Sequence, residues 1–111
     1  MLVLGTGNSL LSEKMHKGLA LTKPVIGIDF EETVVKKMNN RGTAGVEYLH
    51  MDALAMSFDS GAFEYGVDKG TLDALCADRT PETATKVVNY LNEVVRVLNT
   101  KAGTYVCVSL L

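Results

Sequence analysis

The segment Leu2-Val3-Leu4-Gly5-Thr6-Gly7-Asn8-Ser9 constrains this chain more than any other. A short apolar strand that runs into two glycines one residue apart must turn sharply, and glycine enters such a turn without steric cost. Leu11, Met15 and Leu19 then recur at helical spacing, which predicts a helix over 9–20. Strand, glycine turn and helix in that order put the free N–H groups of a helix start at the end of a buried strand, where a ligand can lie against bare main chain. A second apolar segment, Val25-Ile26-Gly27-Ile28, closes on Asp29. A carboxylate about 20 residues beyond the glycines is suited to accept both hydroxyls of a ribose, so an adenosine-type ligand is expected.

The missing residues narrow the ligand. A dinucleotide fingerprint requires a third small residue three positions after the second glycine, and Leu10 stands there. No Gly-Lys-Ser/Thr follows, which excludes a triphosphate-binding loop. A nucleoside cofactor without phosphates fits better. A lone G-x-G is also an ordinary turn in many α/β proteins, and from these residues alone both readings stand.

Apolar runs and helical patterns alternate along the chain, the signature of a parallel sheet covered by helices on both faces. Strands are predicted at 1–4, 25–28, 46–49, 63–67 and 104–110. Pro24 ends the connection before the second of these. Glu31 and Glu32 sit where a helix start favours negative charge, and Val34, Val35 and Met38 form the inward stripe of a helix ending near Asn40. Residues 41–45 read as a loop, and Asp59-Ser60-Gly61 as a turn. Gly66 lies within the fourth predicted strand, where it suggests a close backbone approach. The strongest helix signal covers 81–98. Thr80 is its cap, Pro81 takes the first position, and Val87, Val88, Leu91, Val94, Val95 and Leu98 form one continuous face.

A chain of 111 residues forms one domain, and no repeat, linker or low-complexity tract divides it. Hydrophobic residues at 47% and charged residues at 22% exclude a disordered chain. The formal net charge of -2, with Lys36-Lys37 the sole basic doublet, gives no nucleic-acid footprint. Cys76 and Cys107, with only His16 and His50 as companions, lack metal-ligand spacing and read as two reduced thiols. No apolar run approaches the roughly 18 residues of a membrane span, and no secretory pattern opens the chain. A soluble, cytoplasmic protein is the expectation.

Three stretches carry a family resemblance: VLGTGNSLLSEKM at 3–15, MDALAMSF at 51–58 and VDKGTLDAL at 67–75. Together, in this order, they resemble the class I S-adenosylmethionine-dependent methyltransferases. Within these the chain is similar to the branch that includes lysine and N-terminal methyltransferases of translation elongation factor 1-alpha, and their homologue encoded beside endothelin-converting enzyme. The resemblance implies a Rossmann-like, mostly parallel sheet of order 3-2-1-4-5 with flanking helices, and S-adenosylmethionine as cofactor. It implies that Gly5, Gly7 and Asn8 lie against the methionine part of the cofactor. Asp29 matches the ribose-binding acid, with Phe30 beside it against the adenine. Asp52 and Ala53 match the pair at the adenine edge, and Asp68, Lys69 and Gly70 the strand end beside the transferable methyl.

Each position also has a plainer reading. Asp52 suits a turn, Asp73 suits a helix start as well as a substrate contact, and Lys69 suits a solvated charge or a partner of Asp68. Met51 and Met56 read as core filler, and Tyr65, Tyr90 and Tyr105 as packing residues. For catalysis, an in-line methyl transfer to an amine needs chiefly positioning. Asp68, assisted by Asp73, is the expected group to orient the amine and take its proton.

The chain lacks the Asn/Asp-Pro-Pro-aromatic element of enzymes that methylate amines of nucleic acids, and its charge does not suit them; a protein amine is the substrate that the branch resemblance implies. It departs from the family at Thr6, where relatives often have Cys, and in stopping at the fifth strand of a seven-stranded fold. It is therefore read as a partial S-adenosylmethionine-binding domain over 1–111. Three hypotheses follow: a protein-lysine methyltransferase acting on an elongation factor, a non-catalytic module that keeps cofactor or partner binding, and, disfavoured by Leu10, a nicotinamide-cofactor domain. Residues 104–111 form an apolar edge without charge or proline, which predicts self-association.

Overall fold

The computed structural model describes residues 1–7 and 9–109. Its elements run β1 (Leu2–Leu4), α1 (Leu11–Gly18), β2 (Val25–Asp29), α2 (Glu32–Asn39), β3 (Val46–His50), β4 (Tyr65–Lys69), α3 (Thr71–Leu75), α4 (Pro81–Val97) and β5 (Thr104–Val108). The five strands form one sheet of order β3-β2-β1-β4-β5, every pair parallel. Register places Leu2 between Ile26 and Gly66, and Leu4 between Ile28 and Asp68. Side chains alternate between sheet faces. Leu2, Leu4 and Ile28 pack with Tyr90, Val94 and Val97 of α4 in the main core. Val35, Met38 and Tyr48 form a second cluster, between α2 and β3. Arg41 joins α1 to the end of α2 through a two-pronged pair with Glu13, at 2.9 and 3.0 Å.

The structure corrects several boundaries. The fourth strand lies at Tyr65–Lys69 rather than 63–67. Phe63 instead makes an isolated bridge to Leu98 and packs edge-on against Phe58 at 4.8 Å. Asp68, a residue type disfavoured in strands, is thereby drawn into the sheet beside Leu4 and Cys107. The first helix ends at Gly18, Ala20 turns left-handed at φ 49°, and Leu19 is 58% exposed. Ser12 is the fully buried residue of α1.

The helix at α4 forms with Pro81 in its first turn and Thr80 at its N-cap, but the Thr80 side chain makes no capping bond. Its buried positions are Thr83, Tyr90, Val94 and Val97, with Leu98 just beyond, so the inward face is rotated from the one expected. Val88, Leu91 and Val95 point outward. Helical periodicity locates an apolar stripe, but Tyr90 joins the stripe only because a buried acid accepts its hydroxyl. Gly66 is not forced by a close approach, since a Cβ there would meet Leu98 at an ordinary 3.5 Å. Of the two glycines within strands, Gly27 is the crowded one: a Cβ would come within 2.6 Å of Thr6 and 3.0 Å of the Tyr48 ring. Asn8, Leu110 and Leu111 lie outside the described residues, and so do the expected role of Asn8 and the end of the fifth strand.

Candidate functional site

All the strands are parallel, so their carboxyl ends gather on one side, the side on which open α/β sheets bind ligands. A cleft of about 620 Å³ opens there. Its walls come from the ends of β1 and β2 (Gly5, Ile28, Asp29, Phe30), from the segment after β3 (Met51, Asp52, Ala53, Leu54), and from the turn after β4 (Lys69, Gly70, Thr71). Ala74 and Leu75 of α3 and Lys86 of α4 complete it.

The glycine turn is held to the second strand by two bonds. The Thr6 amide donates to the Ile28 carbonyl at 3.0 Å, and the Gly7 amide to Asp29 Oδ2 at 2.8 Å. Asp29 Oδ1 accepts the Glu31 amide at 2.9 Å. Two main-chain donors therefore orient the carboxylate while each oxygen keeps further acceptor capacity. Gly5 and Gly7 both have positive φ, at 64° and 52°. They differ in surroundings. A side chain on Gly5 would collide with the Thr71 hydroxyl, whereas one on Gly7 would meet nothing within 4 Å. Among the described residues, Gly7 thus has open space where a side chain would stand, while Gly5 is fixed by packing.

Phe30 is 71% exposed at the mouth of the cleft, and the His50 ring reaches its carbonyl at 2.9 Å. Asp52 is exposed and folds its own segment, its Oδ1 accepting the Leu54 amide at 2.8 Å. Asp52 therefore both folds its own turn and stands on the cleft wall. Met51 and Ala53 line the cleft, whereas Met56 is buried in the core. Lys69 and Gly70 are exposed on the cleft wall.

Asp68 departs from its expected role. Its side chain is wholly buried, and four donors converge on it. Oδ1 accepts the Thr71 amide at 2.8 Å; Oδ2 accepts the Leu72 amide at 3.1 Å, the Tyr90 hydroxyl at 2.6 Å and the Tyr105 hydroxyl at 3.0 Å. A carboxylate so enclosed anchors the start of α3 and is not exposed to take a proton from a substrate amine. Burial and the adjacent Asp68 drive the Tyr90 hydroxyl far above its ordinary pKa, and burial raises that of Tyr105 as well. Asp73 lies away from the cleft, in a groove between α3 and α4, and accepts the Ser109 hydroxyl at 2.5 Å. The expected pair of catalytic acids is therefore not assembled at the cleft.

Sequence reasoning missed Lys86, Thr71 and the function of Tyr90 and Tyr105. Thr71 donates its hydroxyl to the Leu4 carbonyl at 2.8 Å, tying the turn after β4 to the turn after β1. Only the Asp-Lys-Gly-Thr string hinted at it; Lys86 and the tyrosines reach the site from a helix and a strand with no local motif.

Residues 2–107 match the family described as Methyltransferase domain. The eEF1A lysine and N-terminal methyltransferase homolog of Drosophila pseudoobscura pseudoobscura is 43% identical, over 100% of this chain and 16% of that protein. EEF1A lysine methyltransferase 4 of Bos taurus is 37% identical, over 96% of this chain and 44% of that protein. Among solved structures, a SAM dependent methyltransferase from Aquifex aeolicus superposes with a TM-score of 0.68 at 22% identity, covering 88% of this chain and 50% of that one. The likeness is one of fold: a Rossmann-like sheet of order 3-2-1-4-5. The chain spans only 16% of the length of the Drosophila relative.

Proposed function

Since the chain belongs to the methyltransferase-domain family, we propose that its cleft binds S-adenosylmethionine and serves methyl transfer to a lysine amine of a protein, of the elongation-factor 1-alpha type. The observation that carries this reading is Asp29, held at the tip of β2 by the Gly7 and Glu31 amides and bordering the cleft. Asp29 would hold the ribose hydroxyls, the 51–54 wall would take the base, and Gly7 with the turn after β4 would take the other end of the cofactor. The cofactor supplies an electrophilic methyl on a sulfonium. The chain supplies orientation, through Asp29, the Gly7 backbone and the Lys69-Gly70 rim, and partial exclusion of water by Phe30 and Leu54. The names of the Drosophila and bovine relatives support the choice of a protein substrate.

Calorimetric titration of the chain with S-adenosylmethionine tests the reading. Saturable binding that Asp29→Ala weakens supports it; binding of NAD in its place overturns it.

The buried state of Asp68 favours a second reading, a module that binds cofactor or partner without catalysing transfer. Incubation with radiolabelled cofactor and elongation factor 1-alpha separates the two, because binding without label transfer selects the second. We further propose that the chain is one partial S-adenosylmethionine-binding domain over 1–111 that acts in the cytoplasm, and that it self-associates through β5. That strand stands at the sheet edge with Val106 and Val108 about half exposed.

A further inference from the structure

The segment that forms the base-side wall of the cleft has no regular secondary structure between His50 and Tyr65. A stretch of this length must satisfy its main-chain polar groups without a helical or sheet ladder. At its start the Met51 amide donates to the Asp29 carbonyl at 3.0 Å. Further along, two residues of α4 bind its backbone. Arg96 donates through Nη1 to the Phe58 carbonyl at 2.7 Å and through Nη2 to the Met56 carbonyl at 2.8 Å. Glu93 Oε1 accepts the Met56 amide at 2.6 Å. Glu93 and Arg96 also bind each other, Nε to Oε2 at 2.5 Å, one turn apart on the helix. The side chains are only 17% and 34% exposed, so water competes weakly for these bonds.

We propose that Glu93 and Arg96 are positioning residues for the cofactor, fixing the Met51-to-Leu54 wall at the distance from Asp29 at which Asp52 meets the amino edge of an adenine. Resting on the cofactor reading above, this assigns base selectivity to a helix pair that does not itself line the cleft. The planar guanidinium spans two carbonyls at once, while the carboxylate both holds the guanidinium in plane and takes the Met56 amide. Neither role passes to lysine, whose ammonium lacks the fork. Between the sheet anchor at Asp29 and the helix anchor at Met56, residues 52–55 are held at both ends. With the helix anchor gone, Asp52 and Ala53 keep their local turn but lose their place relative to the sheet.

The test compares two ligands that differ only in the base, S-adenosylhomocysteine and S-inosylhomocysteine, on the unmutated chain, Arg96→Lys and Arg96→Ala, with amide hydrogen exchange on each. The expected result is a loss of about tenfold or more in affinity for the adenosyl ligand in both variants, with much less change for the inosyl ligand. Faster exchange should be confined to 51–58, while β1, β2 and β4 keep their protection. Equal losses for both ligands, unchanged exchange at 51–58, or faster exchange throughout the sheet would each overturn the proposal. If the unmutated chain binds neither ligand, the cofactor reading itself fails and the base-selectivity role with it. If the unmutated chain binds and the variants discriminate as it does, only the role of the clamp fails.

Discussion

The hydroxyl of Thr71 occupies the space that a side chain on Gly5 would need, and from there it donates to the carbonyl of Leu4. One residue after β4 thus closes over the turn after β1. Gly5→Ala combines this collision with a left-handed backbone and is expected to cost roughly 2–6 kcal/mol, summing overpacking and backbone strain. Urea denaturation measures it. In a double-mutant cycle, Thr71→Ala should recover part of the loss, because the methyl then has room. Strict additivity would show that the two sites are independent.

Asp29→Ala should weaken S-adenosylmethionine binding by about 1.5–3 kcal/mol, the range for hydrogen bonds to a charged group. Asp29→Asn should weaken it less, since one side-chain oxygen remains to accept. Calorimetry on the three proteins gives the order directly, and an Asn variant weaker than the Ala variant would contradict it.

Removing the Tyr90 hydroxyl leaves the buried Asp68 carboxylate one donor short. Tyr90→Phe should therefore destabilise by about 1.5–3 kcal/mol, and Tyr105→Phe by less, its bond being longer and its ring half-buried. Both hydroxyls have raised pKa values in the folded chain. The folded state therefore holds protons that an unfolded tyrosine releases near pH 10. Their contribution is fully present below that pH and is lost as pH rises beyond it. Denaturation midpoints across the alkaline range should fall more steeply for the unmutated chain than for Tyr90→Phe.

Glu93 is held below its ordinary carboxylate pKa, first by the Arg96 hydrogen bond. A depressed carboxylate stabilises the fold above its unfolded pKa and loses that effect as pH falls through the folded value. Protection of the Met56 amide, taken relative to its intrinsic exchange rate at each pH, should fall on acidification below about pH 4.5, the ordinary value of Glu93. Glu93→Gln should show lower protection at neutral pH and change less as acid is added.

Val108→Lys places a charge on the outermost strand. If β5 pairs with a second copy, the variant should sediment as a smaller species than the unmutated chain at equal high concentration. Identical monomeric profiles for both would remove the edge as an association surface.

The sheet was legible because its signals are local. Gly5 and Gly7 mark the first turn, Val25 to Ile28 is a continuous apolar run, and Pro81 opens the longest helix. What escaped were properties set by distant partners. Asp68 looked like a strand-end acid because nothing near it in sequence announces Tyr90 and Tyr105. The face of α4 was misjudged for the same reason, its polar Thr83 and Tyr90 turning inward while Val88 and Val95 turn out. At the cleft, Asp29 and Ala53 stand on the walls, marked by a strand end and a short motif, but Lys86 comes from a helix whose pattern suggests only packing.

Helix α4 reaches the segment that follows the 51–54 wall through Arg96, the buried acid under the rim through Tyr90, and the cleft through Lys86. These three connections make it a poor candidate for piecemeal exchange. A chimera that takes α4 from a relative must take the 51–63 segment and the Asp-Lys-Gly-Thr turn from the same donor. Grafted alone, the helix would present its arginine and tyrosine to carbonyls and a carboxylate spaced for another protein.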